Sequence, residues 1–82
     1  MIEKNKTTFI DVRTPDEFAM EHIDGAINIP LDKLQQNIPA VVAIQGPKIL
    51  YCRSGGRSSM AVNLLKQHGI ANVENGGGID EL

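Results

Sequence analysis

Lys48-Ile49-Leu50-Tyr51-Cys52-Arg53-Ser54-Gly55-Gly56-Arg57-Ser58 is the stretch from which the rest of this 82-residue chain can be read. Lys48 to Tyr51 is short and rich in β-formers, the pattern of a buried strand. Ser59 to His68 follows as a helix, with Ala61, Leu64 and Leu65 on one face and Asn63, Lys66 and Gln67 off it. A strand, a tight glycine loop and a helix start bring several backbone N–H groups around one point, at the positive end of the helix dipole. The chain's one cysteine stands at the head of that loop, with an arginine on each side of the glycines.

Such a seat acts on the thiol of Cys52. A free cysteine has a pKa of about 8.5, so only a few per cent is thiolate at neutral pH. A helix N-terminus contributes ~1–2 kcal/mol and each pKa unit corresponds to about 1.36 kcal/mol, which brings the thiol to roughly 7. Arg53 and Arg57 favour the anion further, discounted for solvent exposure. Gly55 and Gly56 permit positive φ and close backbone approach, so successive N–H groups can form an anion nest. The bland alternative is a buried structural cysteine beside a solvated turn, but such a residue gains nothing from two flanking arginines.

Size and composition narrow the field. The length fits one domain over residues 1–82. The apolar fraction of 41% and charged fraction of 22% are ordinary for a globular protein. A net charge of -2 argues against nucleic acid or an anionic membrane as partner. One cysteine allows no internal disulfide, and one cysteine with two distant histidines makes no metal site. With no bilayer-length apolar run and no signal-peptide pattern, a cytoplasmic monomer is expected, although a periplasmic chain stripped of its signal would read the same.

Outward from the loop, Thr7 to Val12 reads as a strand that ends at Arg13-Thr14-Pro15-Asp16-Glu17. There Thr14 fits a helix N-cap, Pro15 the first helical position and Glu17 the capping box. The short helix that follows is expected to turn Phe18 and Ile23 or Met20 inward and to stop before Gly25. Ala26 to Pro30 reads as a second strand, and Leu31 to Asn37 as a small helix that Pro39 terminates. Ala40 to Ile44 fits a helix turn or a strand. Gly69 suits the residue after a helix end, with Ile70 packing back on Leu65. Asn72 to Asn75 reads as a last strand, followed by Gly76-Gly77-Gly78. Strands alternating with helices give an α/β domain with a mostly parallel central sheet flanked by short helices. Ligands of such sheets sit off the carboxyl ends of the strands, where Cys52 stands.

The chain resembles a single-domain rhodanese, a sulfurtransferase, from Phe9 to Leu82. Asp11 to Phe18 with His22 to Pro30 is similar to the family's N-terminal signature, Cys52 to Ser58 to its active-site loop, and Gly77-Gly78-Ile79 to its C-terminal signature. Glu21 stands where the family usually has glycine, and Leu82 where it usually has tryptophan. The resemblance implies a small rhodanese-like domain with no cofactor, in which Cys52 carries a persulfide. The donor would be thiosulfate or a persulfide, and the acceptor cyanide or a thiol, including one on a protein. The loop N–H groups from Arg53 to Ser58, through Ser54, Gly55 and Gly56, would stabilise the persulfide anion. Arg53 and Arg57 would bind the anionic donor; their plain alternative is pairing with surface carboxylates. Ser58 is expected to cap the helix rather than act on substrate.

Smaller candidates have structural explanations. Asp11 and Arg13 fit an ion pair that fixes their turn, His22 a hydrogen-bonded fold residue, and His68 a helix C-terminus. Gly76 to Gly78 has the composition of a phosphate loop without its lysine or its strand–loop–helix context. Two other functions compete. A cysteine phosphatase or arsenate reductase would place five residues between Cys and Arg, whereas four separate Cys52 from Arg57. A silent binding module would have no use for the cysteine that this chain keeps.

Overall fold

The computed structural model describes residues 7–82, so the first six residues of the expected 1–82 domain lie outside it. Among the described residues, four parallel strands form one sheet in the order β2-β1-β3-β4. The strands are β1 (Thr8–Asp11), β2 (Ile27–Asn28), β3 (Lys48–Cys52) and β4 (Val73–Gly78). The helices are α1 (Pro15–Met20), α2 (Ile38–Ala43) and α3 (Gly56–Gln67). The α/β reading with a parallel sheet therefore holds.

Register explains which residue faces where. Ile10 lies beside Leu50, and Asp11 beside Tyr51. Because side chains alternate along a strand, Ile10, Leu50 and Cys52 share one face and Asp11 and Tyr51 the other. The first face carries the core: Ile10, Leu34, Val41, Leu50, Ala61 and Leu65 are fully buried, with α3 packed across β3 and β4. Burying a side chain of this size stabilises by about 1.5–3 kcal/mol, so this face fixes the register.

Several boundaries move for physical reasons. Capping holds as expected at α1, where Thr14 Oγ1 accepts the Glu17 N–H at 3.3 Å and Glu17 Oε1 accepts the Thr14 N–H at 3.0 Å. The helix nevertheless ends at Met20, which points outward at 86% exposure, while Phe18 and Ile23 are half-buried. The second strand contracts to Ile27–Asn28. Leu31 to Asn37 forms two short 3₁₀ turns instead of one helix. Pro39 opens α2 instead of ending a helix, since proline has no N–H to lose in a first turn. Ala40 to Ala43 is helical within it.

The last strand runs on through Gly76-Gly77-Gly78 rather than stopping at Asn75. The pairing jumps from Leu50 beside Asn75 to Tyr51 beside Gly77, so Gly76 is the extra residue of a bulge. A Cβ on Gly76 would sit 2.7 Å from Ile49 Cγ2, and one on Gly78 would strike the Arg53 carbonyl. Glycine is thus what lets β4 press against the start of the loop. At the far end of α3, Ile70 N–H bonds to Leu65 C=O at 3.1 Å and Gly69 N–H to Lys66 C=O at 3.0 Å, the expected Schellman end.

Candidate functional site

Cys52 is the last residue of β3 and is 1% exposed. Only Arg53, Ser54 and Gly55 separate it from α3, because the helix begins at Gly56, three residues earlier than the sequence suggests. Gly56, Arg57 and Ser58 are therefore first-turn helix residues, and Gly55 is the N-cap. Gly55 has φ 97°, in the region open to glycine, and its Cα side approaches Gly77 so closely that a Cβ would lie 3.3 Å from the Gly77 Cα.

With no side chain at the N-cap, the sulfur takes its place. Cys52 Sγ accepts the Gly55 N–H at 3.0 Å and the Ser58 N–H at 3.4 Å. Ser58 is the third residue of the helix, where an N-cap oxygen would ordinarily accept. The expected anion nest is present but narrower: the Gly55 and Ser58 N–H groups hydrogen-bond to the sulfur and the Ser54 amide also favours its charged form, rather than every amide from Arg53 to Ser58. Burial pushes the Cys52 thiol up. The Ser58 hydroxyl and the Ser58, Ser54 and Gly55 amides more than offset it, leaving the thiol below its usual range.

Ser58 does not cap the helix by its side chain. Its Oγ lies 3.4 Å from Cys52 Sγ, 3.2 Å from the Gly55 carbonyl and 2.6 Å from Asn75 Oδ1. Asn75 was not legible as a site residue, reading only as the end of a strand; the bulge at Gly76 is what presents its amide to the loop.

The two arginines have a shared partner. Arg57 Nη1 and Nη2 donate to Glu17 Oε1 and Oε2 at 2.9 and 3.2 Å, a bidentate pair, and Arg53 Nε lies 3.7 Å from Glu17 Oε2. The carboxylate pairing named as the plain alternative is thus present for both. Arg57 hydrogen bonds first, then the Thr14 amide, hold the Glu17 carboxyl down to about 2. Glu17 reads in sequence as a capping-box residue alone. Yet β1 and β3 are parallel neighbours, so the turn after β1 and the loop after β3 emerge side by side.

Beneath this layer the turn after β1 is fixed by a buried ion pair. Arg13 Nη2 and Asp11 Oδ2 are 2.7 Å apart, and Arg13 Nη2 also donates to the Glu21 carbonyl at 2.6 Å. This is the structural role expected for the pair. The Glu21 side chain is not needed for that bond, only its backbone. Tyr51 OH accepts the Ile23 N–H at 3.0 Å, tying the segment after α1 to the sheet. His22 Nδ1 lies 2.8 Å from the Phe18 carbonyl and its ring stacks on Phe18 at 3.7 Å, so it is held as a fold residue. His68 is the C-cap of α3. A cleft of about 170 Å³ lined by Arg13, Glu17, Met20, Glu21 and Arg53 opens beside the loop.

Comparison with known proteins agrees with this geometry. The Rhodanese-like domain family model matches residues 1–81. The chain is 37% identical over 75 residues to thiosulfate sulfurtransferase PspE of Escherichia coli K12, covering 90% of this chain and 72% of that protein. It is 40% identical over 70 residues to the uncharacterized protein YqhL of Bacillus subtilis, covering 85% of this chain and 55% of that one. A solved structure, a rhodanese with anions from E. coli, superposes with a TM-score of 0.83 at 38% identity, over 93% of this chain and 91% of that one.

Proposed function

The chain belongs to the rhodanese-like domain family, and on that premise we propose that it is a sulfurtransferase that works through a persulfide on Cys52. The observation that carries this reading is the sulfur seated as the cap of α3, accepting two amide N–H groups at 3.0 and 3.4 Å. Amides fixed by a helix start and a glycine turn need no reorganisation when charge arrives on sulfur.

In the first half-reaction the Cys52 thiolate attacks the outer sulfur of thiosulfate. A new S–S bond forms, the donor's S–S bond breaks, and sulfite leaves with the bonding pair. Cys52 then bears a terminal persulfide sulfur with the negative charge. In the second half-reaction cyanide or a thiolate attacks that outer sulfur, and the Cys52 thiolate is regenerated. No proton must be delivered to sulfite or thiocyanate, which are stable as anions, so no general acid is required.

The donor is a small anion and the acceptor a slim thiophile, cyanide or an extended thiol that includes a protein thiol. The near-complete burial of Cys52 favours both. Arg53 and Arg57 receive the donor's negative end, and to do so they must exchange part of their contact with Glu17. Purified protein should form thiocyanate from thiosulfate and cyanide, and Cys52→Ser should abolish it. Absence of thiocyanate from folded wild-type protein would overturn the thiosulfate reading.

A further inference from the structure

The hydroxyl of Ser58 has one hydrogen and three acceptors within reach. They are Asn75 Oδ1 at 2.6 Å, the Gly55 carbonyl at 3.2 Å and Cys52 Sγ at 3.4 Å. The orientation of the Asn75 amide is fixed by its other bonds. Its Oδ1 accepts the Gly77 N–H at 2.9 Å, and its Nδ2 donates to the Gly55 carbonyl at 3.2 Å. Turning the amide over would set donor against donor at Gly77 and acceptor against acceptor at Gly55. Asn75 can therefore only accept from Ser58.

We propose that Asn75 is a positioning residue that competes with the Cys52 sulfur for the single hydroxyl hydrogen of Ser58, and so sets how readily that sulfur ionises. While the sulfur is a thiol, its own S–H can donate to Ser58 Oγ, and the Ser58 hydrogen stays on Asn75. Once the sulfur is a thiolate it can only accept, and the hydrogen must swing from Asn75 to reach it. The thiolate gains a third donor beyond its two amides, and Asn75 Oδ1 keeps only the Gly77 N–H. After a sulfur atom is taken up, charge moves to the outer atom, Sγ becomes a poor acceptor, and the hydrogen returns to Asn75. This device rests on Cys52 acting as the nucleophile.

The charged groups around the sulfur are accounted for separately. Arg57 on α3 and Arg53 in the loop pair with Glu17 of α1. Asp11 and Arg13, at the end of the neighbouring strand β1, close on each other. Glu81, from the 3₁₀ turn after β4, accepts the Gly78 N–H at 2.9 Å. Asn75→Ala changes none of these charges.

The test reads ionisation of Cys52 directly, from the pH dependence of its alkylation by iodoacetamide and of its thiolate ultraviolet absorbance. It needs no sulfur transfer, so it stands apart from the assay for thiocyanate. Asn75→Ala should raise the thiolate fraction at pH values below the midpoint by roughly two- to tenfold, the span of one hydrogen bond. In a Ser58→Ala background the same change should do nothing. An unchanged or lower thiolate fraction in Asn75→Ala, or a shift that persists without Ser58, overturns the proposal. Should Asn75→Ala fail to fold, Asn75→Asp takes its place. There the thiolate fraction should fall, and fall more with Ser58 present than absent; equal falls would mean that charge alone acts and overturn the proposal.

Discussion

Glu17 grips Arg57 with both carboxylate oxygens, at 2.9 and 3.2 Å, across the gap between the first turn of α1 and the first turn of α3. The two residues lie 40 positions apart in the chain and meet because β1 and β3 are neighbours. Under the proposed function, that carboxylate competes with the anionic donor for the arginines beside Cys52.

Glu17→Gln isolates that competition, because glutamine preserves the capping box while removing the charge. Losing one negative charge near the donor site is worth about 0.5–1 kcal/mol for a partly exposed pair. The KM for thiosulfate should therefore fall roughly two- to fivefold, and the gain should shrink as salt is added. A persulfide donor, with one negative charge to thiosulfate's two, should show a smaller change. Steady-state kinetics with both donors checks this.

The same carboxylate makes stability fall in acid. Its folded value of about 2 lies below the ordinary value of 4.5, so Glu17 contributes stability that is complete above 4.5 and is lost as pH drops toward 2. Denaturant midpoints measured across that window should fall more steeply for the wild type than for Glu17→Gln.

Cys52 should behave in the opposite part of the pH range. As the cap of α3 its thiol is held below its ordinary value, so ionisation stabilises the fold. That contribution is complete above the unfolded-state value and disappears as pH falls through the lower folded value. Wild-type stability should rise relative to Cys52→Ala as pH climbs toward 9. Cys52→Ala should also be less stable by about 1 kcal/mol, the usual worth of an N-cap. Thermal melts of both proteins over this range check the sign.

Arg13→Ala should be the most damaging of the single changes considered. It leaves Asp11, with no exposed surface, as an uncompensated buried charge, at a cost of about 3–5 kcal/mol. Asp11→Asn combined with Arg13→Met should cost less than Arg13→Ala alone, since no charge is then stranded. Denaturant unfolding of the three proteins decides.

The loop was legible in the sequence because its residue types have few other uses: a lone cysteine, paired glycines and two arginines ahead of an amphipathic run. The strands of the core were legible from their apolar runs, and Thr14, Pro15 and Glu17 from local capping chemistry. What escaped was set by tertiary contact. Pro39 can end one helix or open the next, and the choice is made by Val41 packing into the core. Gly76 to Gly78 could have been a turn, and become strand because the glycine backbone fits against Ile49 and Arg53. Glu17 and Asn75 have ordinary local roles, and only the strand order and the bulge bring them to the cysteine.

The mass of the intact protein after brief exposure to thiosulfate, before and after cyanide, tests the persulfide most directly. A gain of one sulfur is expected, located on the peptide that holds Cys52, removed by cyanide and missing in Cys52→Ser. No gain in folded protein, or the same gain in Cys52→Ser, would contradict a sulfur carried on the cap of α3.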